Sequence, residues 1–230
     1  MQTNNKYINP LTDFAFKRIF GTDSNKDLLL DFLNAMFNGD PVITDLQYDE
    51  PTNLRGATPN IIPNALCTHN GKEHLIALVQ PPTLSAITNR TLYNAMLAIS
   101  LQKRYLLTPV HVIAIADPTM PGMRHDNYIN DYSLRNRDNL TETIDLLNFK
   151  YIEIGLFNKT PDQLTTQADK WIYALKNLPT LDHIPAPLAS SPTFQKLALL
   201  TQTSTLSPTD LAAYHDSLAA YHEATTHSQE

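Results

Sequence analysis

The chain has 230 residues, 42% of them hydrophobic, which suits one soluble domain of ordinary size. Its 17 lysine and arginine residues against 23 aspartate and glutamate residues give a net charge of −6, so it has no general attraction to phosphate. A single cysteine, Cys67, excludes intrachain disulfides and cysteine-rich zinc sites, and we expect it to be a small buried hydrophobe. With no leader-like start and no apolar run near the ~20 residues of a membrane span, a cytoplasmic protein is expected.

Two short helices are predicted near the N-terminus. Thr12 is a suitable N-cap for the first, Asp13 lies in its first turn where the helix dipole favours an anion, and Gly21 ends it. The second is predicted from about Asn25 to Asn38, because its apolar residues recur at helical spacing. A short strand from Val42 to Tyr48 is expected to follow.

A β-hairpin is predicted within residues 60–80, where two apolar runs of strand length flank the turn sequence His69-Asn70-Gly71-Lys72. Asn-Gly between such runs is the strongest short-range hairpin signal. Pro81 and Pro82 cannot donate to a ladder, so the second strand should end directly after Gln80. A polar side chain at the carboxyl end of a buried strand is a frequent position for an active-site group, which makes this hairpin the first place to search for one.

The middle of the chain predicts a mixed α/β sheet. A third helix is expected from about Asn89 to Arg104, and the apolar run Pro109 to Ala116 is typical of a central strand. Residues 117–139 form either a long hairpin or a mobile loop. A further strand is best placed at Phe149 to Leu156, with Glu153 expected on its solvent face.

The remainder of the chain is predicted to be helical. Thr160-Pro161-Asp162 is expected to start a helix that carries Trp171, and another helix is placed near Phe194 to Leu200. Ser207 is a suitable cap for the last helix, since Pro208 follows it directly. The final residues, 225–230, are expected to be disordered.

A specific motif opens the chain. Its residues are Asp13, Phe16, Lys17, Phe20, Gly21, Asn25, Lys26, Leu29, Phe32, Leu33 and Asn34. In this spacing the chain resembles the PD-(D/E)XK nuclease family transposases, also called the Rpn recombination-promoting nucleases. The resemblance implies an α/β, restriction-endonuclease-like mixed sheet flanked by helices, with a nuclease-like core at residues 1–157. It also implies a helical C-terminal region at residues 158–230 that packs on the core.

The resemblance also implies where the active site should lie. The family hairpin carries an Asp on its first strand and Glu-x-Gln on its second, and these positions are occupied here by Asn64, Leu78 and Gln80. In such nucleases the two carboxylates hold Mg²⁺ and the Gln orients the attacking water. Leu78 offers no ligand and Asn64 only a neutral amide, so the site is degenerate and no cofactor is expected unless the protein is active. Asp13 is either a remaining acid near this site or only a helix-start carboxylate.

The hairpin turn decides whether the alignment is geometrically possible. A strict two-residue loop sets Asn64 opposite Ala77, with its side chain on the other face from Leu78. The resemblance requires a three-residue loop with a glycine bulge, which places Asn64 across from Leu78, or another bulge with the same effect. Glu73 and His74 lie near the turn and are expected to be solvated.

Three functions remain open on the sequence. The first is a non-catalytic relative that binds DNA or another protein, and the second is an active Mg²⁺-dependent endonuclease that uses Asp13, Asn64, Gln80 and a further acid. The third is a purely structural or interaction module, for which a homodimer is one form. Lys17 and Arg90 are the candidate DNA contacts, although an arginine such as Arg90 more commonly pairs with a carboxylate. No membrane partner is expected.

Overall fold

The structure is a computed structural model that describes residues 5–37, 42–48, 65–69, 72–79, 84–100, 102, 107–116 and 127–226. Its helices are α1 (Asp13–Phe20), α2 (Lys26–Met36), α3 (Leu84–Ser100), α4 (Gln167–Asn177), α5 (Ala186–Ala189), α6 (Pro192–Thr201) and α7 (Pro208–Thr226). Its strands are β1 (Asp45–Tyr48), β2 (Ala65–His69), β3 (Lys72–Val79), β4 (Val110–Ala116), β5 (Ile129–Arg135) and β6 (Thr143–Glu153).

The chain forms two compact units. A helical unit combines residues 1–42 with residues 157–230, and a sheet unit comprises residues 43–156. The first 42 residues therefore group with the C-terminal helices and not with the sheet. The expected division into folding domains at residues 1–157 and 158–230 stays a prediction, since compactness does not measure independent folding.

Helix α1 begins and ends where the sequence predicts. The Thr12 hydroxyl accepts a hydrogen bond from the backbone N–H of Ala15, which satisfies one of the first-turn donors. At the other end the N–H of Gly21 donates to the Lys17 carbonyl over 2.8 Å. A Cβ on Gly21 would lie 2.8 Å from that same oxygen, so the close approach requires glycine.

Aromatic side chains form the core of the helical unit. The Trp171 ring centroid lies 5.7 Å from that of Phe20, 5.5 Å from Phe32 and 5.1 Å from Phe194. The buried indole N–H donates to Oδ1 of Asp31 over 2.6 Å, so the ring keeps a hydrogen bond inside the apolar cluster. These contacts tie α2, α4 and α6 to the end of α1.

Several boundaries in the helical unit differ from the prediction. Residues 23–25 form a short 3₁₀ turn before α2. Thr160-Pro161-Asp162 begins only a 3₁₀ turn at Pro161–Gln163, and α4 has its own capping box, in which the Thr166 hydroxyl accepts from the N–H of Asp169 over 3.0 Å. Ser207 caps α7 as predicted, and that helix extends through Thr226, so residues 225 and 226 are helical. Residues 227–230 lie outside the described residues.

The sheet unit is a mixed six-stranded sheet of the predicted α/β class. Its strand order is β1-β2-β3-β4-β6-β5, with β3, β4 and β6 parallel and the other neighbours antiparallel. Strand β4 is central and almost fully buried, as its apolar run predicts. Helix α3 covers one face of β3 and β4, where Ala95 and Ala98 pack against Leu75, Ala77, Val110 and Val112.

Three elements of the sheet unit extend differently from the prediction. Helix α3 begins at Leu84, before the predicted Asn89, and ends at Ser100, before the predicted Arg104. Beyond its end, the Gln102 side chain exchanges hydrogen bonds with the backbone of Thr108 over 3.0 and 2.6 Å. Part of the 117–139 region forms β5, which makes a hairpin with β6. Strand β6 begins at Thr143, before the predicted Phe149, because its first residues pair with β5 before the strand reaches β4. A local sequence pattern does not contain this pairing between strands.

Candidate functional site

The β2–β3 hairpin has the register of a two-residue turn. His69 pairs with Lys72 and Ala65 with Ile76, with no shift between these pairs. The three-residue loop that would bring Asn64 across from Leu78 is therefore absent between the described His69 and Lys72. Continued beyond Ala65, this register sets Asn64 opposite Ala77, so the alignment with the family site would need a bulge outside the described residues. Asn64 itself lies outside the described residues, as does Gln80.

Leu78 lies in an apolar part of the sheet. Its side chain is 3% exposed, it pairs with the fully buried Ile113 of β4, and Ile76 two residues earlier is 2% exposed. Because successive strand residues alternate between faces, Leu78 and Ile76 lie on the opposite face from Leu75 and Ala77, which pack against α3. Among the described residues, a carboxylate at position 78 would therefore have Ile113 and Ile76 as its strand neighbours.

The nearest acid along this row of the sheet is already engaged. Ile113 pairs with Lys150 of β6, and Lys150 pairs with Asp131 of β5. The ammonium of Lys150, a residue that is 9% exposed, forms an ion pair with the Asp131 carboxylate. Asp131 therefore stands three strands from Leu78 and neutralises a buried cation there.

Glu153 is buried, which contradicts the expected solvent-facing position. It is 1% exposed at the carboxyl end of β6, beside Ala116 of β4, and Asn130 Nδ2 donates to its Oε1 over 3.2 Å. The sequence could have indicated this burial, because apolar residues flank Glu153 on both sides. By strand alternation Glu153 shares the face of Tyr151, the opposite face from Leu78, so it cannot act together with a ligand at position 78.

The remaining predicted contacts lie at helix surfaces. Asp13, 35% exposed, accepts from the Lys17 ammonium over 2.9 Å one turn later in α1. Arg90 is half-buried in α3, and its carbonyl accepts from Asn94 Nδ2 over 2.8 Å. The predicted metal role of Asp13 and the DNA roles of Lys17 and Arg90 stay predictions.

Two histidines meet on the face that carries Leu78. Nδ1 of His74 and Nε2 of His111 lie 3.1 Å apart, and His74, expected to be solvated near the turn, is half-buried. Burial, together with the neighbouring His74 and Lys150, lowers the pKa of His111 from 6.5 to about 4, although Asp131 and Asp145 act in the opposite direction.

The buried Cys67 is the cross-strand partner of His74, and its pKa is raised to about 12 by burial and by Asp45. Burial thus favours the neutral forms of His111 and Cys67.

The described residues do not fit the divalent metal that the nuclease fold implies. Mg²⁺ is bound through carboxylate oxygens and waters, whereas Leu78 supplies no oxygen and Asp131 is paired with Lys150. Within the described ranges, no three His, Cys, Asp or Glu side chains are grouped so that they could hold a metal ion.

Fold and hairpin together define a nuclease-like α/β class: a hairpin, then a helix across one face, then a central parallel strand. The model of the PD-(D/E)XK nuclease family transposases matches residues 10–229, nearly the whole chain. The chain belongs to this family, and the predicted fold class is confirmed. No curated protein and no solved structure matches. Among the described helices, none is both long and apolar enough to cross a membrane.

Proposed function

We propose that this chain is a non-catalytic member of the family that uses the retained scaffold for binding. The observation that carries the proposal is Leu78, which is 3% exposed beside Ile113 at the position where the family has its Glu. Without that carboxylate, and with Asn64 in place of the family Asp, the hairpin lacks the two acidic ligands that activate water through a metal.

The charge distribution favours a protein partner over DNA. Many lysines and arginines of the described chain are already paired with carboxylates: Lys17 with Asp13, Arg18 with Asp210, Lys26 with Asp23, Lys150 with Asp131, Lys159 with Asp169, and Lys196 with Asp27. Non-specific DNA binding depends on cations that displace counterions from phosphates. Cations already paired within the protein, in a chain of net charge −6, supply little of that driving force.

Cleavage of plasmid DNA tests the proposal directly. The native protein is assayed with Mg²⁺ and with Mn²⁺, beside the double variant Asn64→Asp, Leu78→Glu. We expect no cleavage by the native protein. Cleavage by the double variant would indicate that the family site was lost by these two replacements.

The competing function is an active endonuclease with rearranged ligands, which requires Asp13. Metal-dependent cleavage by the native protein that disappears in Asp13→Ala would overturn the non-catalytic proposal. The matched control is Asp23→Ala, because Asp23 is also a helix-start acid, paired with Lys26 over 2.8 Å. Equal loss of activity in both variants would indicate damage to the fold and not loss of a metal ligand.

A further inference from the structure

Strand β5 forms one edge of the six-stranded sheet. In the part of the chain that the structure describes, only β6 pairs with it, on its inner side. Edge strands expose a row of backbone N–H and C=O groups, and proteins commonly protect them with lysine, proline or short strand length. Strand β5 is seven residues long, with the sequence INDYSLR, and contains neither lysine nor proline. It carries Asp131 and Arg135, and its ladder with β6 shifts register between Ser133 and Leu134.

Exposed apolar side chains concentrate on the same hairpin. Eleven large hydrophobic side chains are exposed among the described residues, and five of them lie between Tyr132 and Leu146. Leu134, 44% exposed, and Ile144, 56% exposed, form a cross-strand pair beyond the point where β6 leaves β4. An apolar group of this kind on an edge hairpin indicates a surface that another protein covers.

The two faces of β5 have different chemistry. Asp131, Ser133 and Arg135 alternate along one face, and the Arg135 Nε donates to the Ser133 hydroxyl over 3.1 Å, which confirms that these two share it. Tyr132 and Leu134, both exposed, alternate along the other face. The strand thus carries an acid and a base placed symmetrically about Ser133.

We propose that β5 pairs antiparallel with β5 of a second copy of this chain, with Ser133 on the two-fold axis, so that the two sheets become continuous. In this register Asp131 lies opposite Arg135 of the partner subunit, and the symmetry repeats that contact. The Asp131 side chain, 68% exposed although paired with Lys150, would accept the arginine as a second partner. Tyr132 then lies opposite Leu134 of the partner subunit, which covers the exposed apolar face. Cross-strand pairs of opposite charge and aromatic–aliphatic pairs are the contacts that stabilise antiparallel strands.

Charge complementarity selects this register and this occupant. A two-fold axis at Tyr132 would instead set Asp131 against Ser133 and Arg135 against Ile129, with no ion pair. A second copy presents the complementary charges in the required order, because each strand carries Asp131 two residues before Ser133 and Arg135 two residues after it. The resulting contact is isologous and closes as a dimer without a free edge at β5. This inference does not depend on whether the protein cleaves DNA.

Cross-linking tests the register. Opposed residues of an antiparallel pair have Cα atoms about 4.5–5.5 Å apart, within the range of a disulfide. Ser133→Cys in the full-length chain should form an intermolecular disulfide under mild oxidation. Ser100→Cys, exposed on α3, is the control and should stay largely monomeric on non-reducing gels. Equal cross-linking of both variants, or faster cross-linking of Tyr132→Cys, would overturn the proposed register.

Sedimentation over a concentration series tests the ion pair. In Arg135→Asp, each of the two symmetric contacts between positions 131 and 135 sets one aspartate against another. The dimer dissociation constant should therefore rise about tenfold. Arg137→Asp makes the same charge change two residues beyond the strand and should leave the constant unchanged. A native chain that is monomeric at every concentration would overturn the proposal, and so would equal weakening by both variants.

Discussion

Strands β3 and β6 flank β4 in one sheet, and each has a buried side chain near its carboxyl end. The two side chains differ in chemistry but have nearly the same exposed fraction. Leu78 near the end of β3 is 3% exposed, and Glu153 at the end of β6 is 1% exposed. Glu153 receives a hydrogen bond from Asn130, whereas Leu78 lies beside Ile113 and Ile76. In the described part of the sheet, the buried carboxylate of Glu153 has a hydrogen-bond donor beside it, whereas the buried Leu78 has hydrocarbon neighbours.

The difference has a simple physical origin. An ionised group loses its hydration when it is buried, and only hydrogen bonds or an opposite charge restore that free energy. The face of Leu78 supplies an opposite charge at one described place, the Lys150–Asp131 pair of the outer strands. An apolar side chain at position 78 therefore suits the described surroundings.

The substitution Leu78→Glu should have the largest effect. It places a carboxylate among isoleucines, and we expect the free energy of unfolding to fall by roughly 3–5 kcal/mol at neutral pH. Leu78→Met, which keeps the volume, should cost less than about 1.5 kcal/mol. Urea unfolding measures both, and a Leu78→Glu protein as stable as the native one would contradict the apolar environment inferred here.

Acid should destabilise the same face through His111. The pKa of His111 is about 4 in the folded protein, against 6.5 for an ordinary histidine. Between pH 6.5 and pH 4 the unfolded chain therefore binds more protons than the native one. Stability contributed by neutral His111 is complete above pH 6.5 and is lost as the pH falls towards 4, by roughly 3 kcal/mol in total.

His111→Phe removes this titration and keeps the site apolar. The unfolding free energy of the variant should therefore depend less on pH between 6.5 and 4 than that of the native protein. Parallel curves for the two proteins across this range would show that His111 titrates normally in the fold.

Truncation of Glu153 should have an intermediate effect. Glu153→Ala removes a buried hydrogen bond to a carboxylate, although Asn130 keeps the Asn127 carbonyl as an acceptor, and we expect a loss of about 2 kcal/mol. Glu153→Gln keeps an acceptor oxygen and should lose less. Glu142→Ala is the exposed control, since Glu142 accepts from Asn136 over 2.6 Å at the surface. Equal losses for Glu153→Ala and Glu142→Ala in thermal unfolding would contradict the importance of burial.

The smallest effect is expected at the exposed pair of α1. Lys17→Ala removes a partner of Asp13 that is 43% exposed, and an exposed i,i+4 ion pair stabilises a helix by only about 0.3–0.5 kcal/mol. A loss above about 1 kcal/mol in urea unfolding would show that Asp13 and Lys17 belong to a buried network.

The sequence by itself determined the local features of this protein. Thr12 and Gly21 bound α1, Ser207 caps α7, and Asn70-Gly71 joins β2 to β3, because caps and turns depend on residues only a few positions apart. The apolar run of β4 likewise identified the central strand. The opening motif identified the family and, through it, the positions of the candidate site.

Tertiary structure alone decided which face and which neighbours each candidate side chain has. The burial of Glu153 depends on Asn130, and the apolar surroundings of Leu78 depend on Ile113, both distant in sequence. Strand alternation gives two faces but does not say which one lacks donors, since that follows from the pairing of β3 with β4 and of β6 with β5. The length of β6 and the existence of β5 arise from the same long-range pairing, which local sequence patterns do not contain.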